Sequence, residues 1–143
     1  MKRIPLLIAL GAAVMVATVS VTAQTQKSWA DEDLDKLMKE VGPASGAMRK
    51  AIDGQNAELA KTNATKLNGV FTDVAAFWTA RNVKEAAEIA GEAAKHAKAA
   101  EGAIDAKDFT KAAEHAKLLQ GACASCHGKF RDKGPDGMYR IKP

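Results

Sequence analysis

Phe109 to Phe130 reads FTKAAEHAKLLQGACASCHGKF. Phe109, Ala112, Ala116, Leu119 and Ala122 recur at helical spacing, and the pattern predicts a helix that ends near Lys133-Gly134-Pro135, where glycine and proline stop it. The chain's two cysteines, Cys123 and Cys126, both fall in this segment, and His127 directly follows the second. On a helix the three side chains stand at i, i+3 and i+4 and share one face. Two thiols and an imidazole so arranged are the signature of covalent c-type haem attachment, in which the thiols form thioethers with the vinyl groups and the imidazole binds the iron.

Two other chemistries use the same residue types. A thioredoxin-like dithiol belongs at a strand-to-helix junction in a βαβ setting, and no such pattern is present. Structural zinc takes four ligands, so Cys123, Cys126 and His127 would have to recruit His96 or His115. Haem alone accounts for the adjacent histidine together with a helical setting.

Upstream, residues 83–103 are alanine-rich with interspersed Lys and Glu, a composition of strong helix propensity, and Asp105-Ala106-Lys107-Asp108 makes a turn. A helix from about Asn56 to Phe77 carries Leu59, Leu67, Val70, Phe71 and Val74 on its apolar side, with Phe77, Trp78 and Arg81-Asn82 at the corner after it. The first helix is expected to be capped by Asp31 and to place Leu34, Leu37, Met38, Val41, Met48 and Ile52 at helical spacing until Asp53-Gly54 ends it. Gly42-Pro43 should kink or split it. No stretch alternates at period two, so no sheet is expected.

Four helices on short connectors predict an all-α, up-down-up-down antiparallel four-helix bundle. Its core would be unusual. Ala86, Ala90, Ala93, Ala97 and Ala112 stand where a bundle normally places leucine, so either helices approach closely around alanines or a bound haem supplies the missing apolar volume.

The chain's start reads as a secretory signal: Lys2 and Arg3, an apolar run over residues 4–21, and the small-residue site Val21-Thr22-Ala23. Cleavage after Ala23 would leave one domain over residues 24–143, exported to the periplasm with no stable membrane insertion. The alternative is an uncleaved anchor, since the run only just reaches spanning length. No cysteine near the site supports a lipid anchor, and the lone Arg3 fits the general secretion route. The formal net charge is +4 and falls by two without Lys2 and Arg3. With one tyrosine and no aromatic-rich basic patch, nothing points to nucleic acid. No triad, no paired carboxylates and no second metal motif point to an enzyme.

The run from Cys123 to Arg131, with Phe130 three residues and Arg131 four residues after His127, in the last helix of an exported helical domain, resembles the cytochrome c′ family of class II c-type cytochromes. The resemblance covers essentially all of residues 24–143, and its specificity lies between Cys123 and Arg131. It implies one haem c held by two thioethers, with His127 as one axial ligand. In that family the first helix faces the sixth position of the iron, and Lys36-Leu37-Met38-Lys39 is similar to the segment of a low-spin, methionine-ligated subgroup. Met38 is therefore the candidate sixth ligand.

Rivals for that position remain. Met48 lies ten residues on, turned about 280° from Met38 unless Pro43 resets the phase. His96 and His115 could serve as a second imidazole, although His115 is turned about 120° from His127 among charged neighbours and reads as facing solvent. Met38 itself could be a flexible core filler.

His/Met ligation would imply single-electron transfer with periplasmic redox proteins, because thioether sulfur favours reduced iron and a filled sixth site leaves no place for oxygen. The alternative is a five-coordinate, high-spin protein that binds nitric oxide or carbon monoxide. Members of the family commonly carry an arginine one turn before the distal residue, where this chain has Leu34. Arg131 is a candidate to tune the His127 imidazole, and Phe130 to pack on the bundle or haem. Some relatives form homodimers. The tail from Asp136 to Pro143 could fold over the haem edge, but a frayed end is the default expectation.

Overall fold

The computed structural model describes residues 28–137 and 139–142. The expected signal segment and its cleavage site lie outside them. The chain runs through α1 (Asp31–Asp53), α2 (Ala57–Ala80), α3 (Lys84–Asp105) and α4 (Phe109–Phe130). Consecutive helices pack against one another and α4 returns to α1, which closes the expected all-α, four-helix bundle. Among the described residues no helix is long and apolar enough to cross a membrane.

The start of α1 differs from expectation. Ala30 occupies the cap position, and its own N–H donates to Asp33 Oδ2 at 2.9 Å. Asp31 sits in the first turn instead and pairs with Arg81 across the bundle. Nor is α1 split at Gly42-Pro43. A proline inside a helix removes a donor and costs about 3 kcal/mol, yet α1 continues, because Ala44, Met48, Ala51 and Ile52 directly after it are buried.

Asn56 caps α2 by accepting from the Leu59 N–H at 3.0 Å, and Asp108 caps α4 by accepting from the Lys111 N–H at 2.9 Å. All three connectors repeat one geometry. Gln55, Asn82 and Lys107 adopt φ of 52°, 59° and 57°. The residue after each donates its N–H back to a carbonyl of the preceding helix, Ala51, Trp78 and Ala103 respectively. This is the closing hydrogen bond of a Schellman turn, made without the usual glycine.

The core joins Met48 and Ile52 of α1, Leu67, Phe71, Val74 and Phe77 of α2, Ile104 of α3 and Leu119 of α4. Between them α3 contributes Ala86, Ala93, Ala97 and Ala100, all fully buried, opposite Ala112 and Ala116 of α4. Protein atoms alone thus close the core around most of these alanines. Ala90 and Ala93 are the exception, because both also border a cavity.

The tail corrects the expectation of no sheet and of a frayed end. Arg131 adopts φ −118° and ψ 130°, which ends α4 at Phe130, before the Gly-Pro stop. Arg131–Lys133 (β1) then pairs antiparallel with Tyr139–Ile141 (β2). Gly134-Pro135-Asp136-Gly137 turns the chain between them, with Gly137 at φ 79°. The hairpin is tied back by Lys142, whose N–H donates to the Phe130 carbonyl and whose Nζ donates to the Gly128 carbonyl, so two last-turn acceptors of α4 are satisfied.

Candidate functional site

Small side chains open the interior where α1 meets α4. On α1, Met38, Gly42, Ser45 and Arg49 recur at intervals of four, three and four, so they form one stripe along the helix. Gly42 and Ser45 leave space between the two long side chains. Ala90 and Ala93 of α3 and Ala122 of α4 do the same on the facing walls. The result is a cavity of about 410 Å³ whose lining includes all of these residues together with Phe71, Val74 and Ile89.

Cys123, Cys126 and His127 line this cavity from α4, opposite Met38, and Arg131 stands at its edge. A second cavity of about 520 Å³ adjoins it, sharing Met38, Val74, Cys126, His127 and Arg131 and bounded outside by Trp78, Phe130, Tyr139 and Arg140. Volumes of this order are those of small-molecule and cofactor sites. The structure therefore brings together all five residues singled out in the sequence: Met38, Cys123, Cys126, His127 and Arg131.

It separates the rivals from them. Met48 is fully buried in the core and lines neither cavity. Its phase relative to Met38 is that of an uninterrupted helix, since Pro43 does not reset α1. His96 and His115 also line neither cavity; they stack on each other with centroids 5.7 Å apart. His115 is not the solvent-facing residue expected, because its Nδ1 is buried and has no hydrogen-bond partner.

The electrostatics distinguish the candidate chemistries. Both cysteines are free thiols. Burial pushes the Cys123 thiol up, with the neighbouring Cys126 adding to the effect, and burial likewise raises Cys126. A redox dithiol works through a thiolate with a lowered pKa, so these thiols are poised in the opposite direction. Burial, and then the positive charge of Arg131, hold His127 below the ordinary histidine range. Its imidazole is thereby kept neutral, the form that ligates a metal. Among the described residues no group of three or more His, Cys, Asp and Glu gathers to hold a metal ion, so the zinc ligand set is not assembled.

Aromatic and cationic groups surround the outer cavity. Phe77 meets Trp78 edge-on at 5.1 Å, Trp29 meets Phe77 at 6.2 Å, and Phe130 tilts against Trp78 at 5.7 Å. The Arg131 guanidinium lies over the Tyr139 ring at 3.9 Å, which fixes it beside His127. Leu34 borders the outer cavity where an arginine was expected from the family pattern, and the cations present are Arg131 and Arg140.

Arg49 was overlooked in the sequence. It stands eleven residues after Met38, three helical turns on, and therefore shares its face. That spacing was a readable signal. Arg49 Nη1 donates to Gln120 Oε1 at 3.4 Å, a long contact that links α1 to α4 at the inner end of the cavity. Arg140 carried no such signal, because it reaches the site only through the hairpin.

No family model, curated protein or solved structure matches this chain. The reading of the site rests on its geometry.

Proposed function

We propose that this chain is an exported c-type cytochrome that carries single electrons. The observation that carries the reading is the lining of one cavity by Cys123, Cys126 and His127 from α4 and by Met38 from α1. The residues fit haem: a largely apolar space, two neutral thiols and a neutral imidazole on one helical face, and a thioether opposite. When bound, haem supplies a one-electron iron couple.

The residues have separable tasks. Cys123 and Cys126 would hold the group to α4 through thioethers, and His127 would offer its imidazole lone pair from the next position on the same face. Met38 would offer its thioether sulfur to the group from α1. Phe71, Val74 and Ile89 keep water away, which limits reorganisation when the charge changes. Arg131, held by Tyr139, keeps a positive charge at the imidazole side.

Optical spectra of the oxidised and reduced protein, with and without carbon monoxide, test this reading. A pyridine haemochrome diagnostic of two thioethers, a low-spin reduced spectrum and no carbon monoxide binding are expected. Absence of the haemochrome rejects the cytochrome reading. A high-spin reduced spectrum that shifts with carbon monoxide removes Met38 from the coordination sphere and leaves the gas-binding alternative.

A further inference from the structure

The C-terminal hairpin carries a tyrosine that core packing does not explain. Tyr139 is 60% exposed, so burial is not what places its ring. The strand that bears it is nevertheless fixed against α4. Ile141 packs on the core, and Lys142 donates to the Phe130 and Gly128 carbonyls at 2.9 and 3.0 Å. In the ladder Arg131 is opposite Ile141 and Lys133 is opposite Tyr139, so Arg131 and Tyr139 are diagonal neighbours on one face of the hairpin. Asp132 and Arg140 stand on the other face.

The consequence is that the Arg131 guanidinium lies over the Tyr139 ring, 3.9 Å from its centre. Among the described residues Arg131 makes no ion pair, in contrast to Arg140, which pairs with Asp136. The kind of partner matters. A carboxylate beside Arg131 would hold it and cancel most of its field, whereas an aromatic face attracts a cation through its quadrupole and adds no net charge. With no partner, a long exposed side chain would spread over many rotamers in solvent. Arg131 comes four residues after His127, and the two border both cavities together.

We propose that Tyr139 is a positioning residue that sets the reduction potential of the site: its ring holds the Arg131 charge beside His127 without neutralising it. On the cytochrome reading, on which this role rests, oxidised haem iron carries one positive charge more than reduced iron. A fixed cation close by therefore disfavours the oxidised state and raises the potential. The effect passes through Arg131, so Tyr139 is silent once that charge is gone.

Two measurements test this role. In the cofactor-free chain, NMR reads the ring-current shift on the Arg131 side-chain protons, which should persist in Tyr139→Phe and vanish in Tyr139→Leu. In the haem-loaded protein, once the haemochrome shows two thioethers, redox titration reads the potential. Arg131→Gln should lower it, and Tyr139→Leu should lower it by a smaller amount. Tyr139→Phe should match the unaltered protein, and Tyr139→Leu should add nothing in the Arg131→Gln background. The role is overturned if Tyr139→Leu leaves the potential unchanged or shifts it equally with and without Arg131. It is also overturned if Tyr139→Phe behaves as Tyr139→Leu, or if the unaltered chain shows no ring-current shift. Absence of the haemochrome instead removes the cytochrome reading and this role with it.

Discussion

Met38 and Met48 belong to one helix and are chemically identical, yet their surroundings assign them opposite roles. Met48 is fully buried among core residues, whereas Met38 is half-buried at a cavity that already exists. Truncating a buried Met, Leu or Ile to Ala costs about 2–5 kcal/mol, part of it from the new cavity. Met48→Ala should therefore cost roughly 3 kcal/mol, which for a domain of this length lowers the melting temperature by about 10–15 °C. Met38→Ala enlarges an opening that is already there, so it should cost less than about 1.5 kcal/mol. Urea unfolding of the two variants in the cofactor-free chain measures both costs, with unchanged m-values showing that the folded ensemble is the same. In the haem-loaded protein the order should invert, so that Met38→Ala alone opens the sixth position to carbon monoxide. The reasoning is refuted if Met38→Ala is the more destabilising of the two, if Met48→Ala is the variant that gains carbon monoxide binding, or if the cofactor-free chain shows no cooperative transition.

The alanine seam offers a second contrast. Ala97→Leu, at a fully buried position away from the cavities, should cost about 1–3 kcal/mol by overpacking, as chemical denaturation would show. Ala90→Leu instead projects toward open space, so its cost should be smaller while it halves or abolishes haem incorporation, read from the ratio of haemochrome to protein. Asn56→Ala and Asp108→Ala each remove a helix cap and should each lower stability by roughly 1 kcal/mol, additively, because they sit at different connectors. The thiols should show their burial in the cofactor-free chain: alkylation of Cys123 and Cys126 should follow a pH profile displaced above that of free cysteine. Because folding raises these pKa values, their contribution to stability is complete below the unfolded thiol pKa and is lost as pH rises through the folded one. Alkaline unfolding should therefore be delayed when both cysteines are replaced by alanine.

The bundle was legible because α1, α2 and α4 each carry an apolar period and α3 shows itself by its alanine-rich composition. Leu67, Val70, Phe71 and Val74 define one face of α2, and Asp108 begins α4 with a side chain suited to the cap. The α4 half of the site was equally plain, since the i, i+3, i+4 spacing of Cys123, Cys126 and His127 needs no tertiary knowledge. Met38 required the resemblance, although the stripe it shares with Gly42, Ser45 and Arg49 was written in the same helix. What local pattern could not convey depended on contacts between distant segments. Pro43 does not break α1 because burial of the next turns outweighs one lost hydrogen bond. Ile141 and Lys142 bring the tail back onto α4, so a glycine-proline stop became the turn of a hairpin. His96 and His115 meet only because of the register between α3 and α4, which neither helix encodes alone.

Three of the four seams of this bundle are tied by connectors, between α1 and α2, α2 and α3, and α3 and α4. The seam between α1 and α4 is not, and it brings together the two segments farthest apart along the chain. Contacts between neighbours in sequence form early at low entropic cost, while this last closure must bring distant segments together. The cavity opens across that seam, with Met38 on one side and Cys123, Cys126 and His127 on the other. Whatever bridges it acts as a clasp on a ring. Hydrogen exchange in α1 should then be governed by the occupancy of the cavity, and the first helix would report, amide by amide, whether the last one carries its cargo.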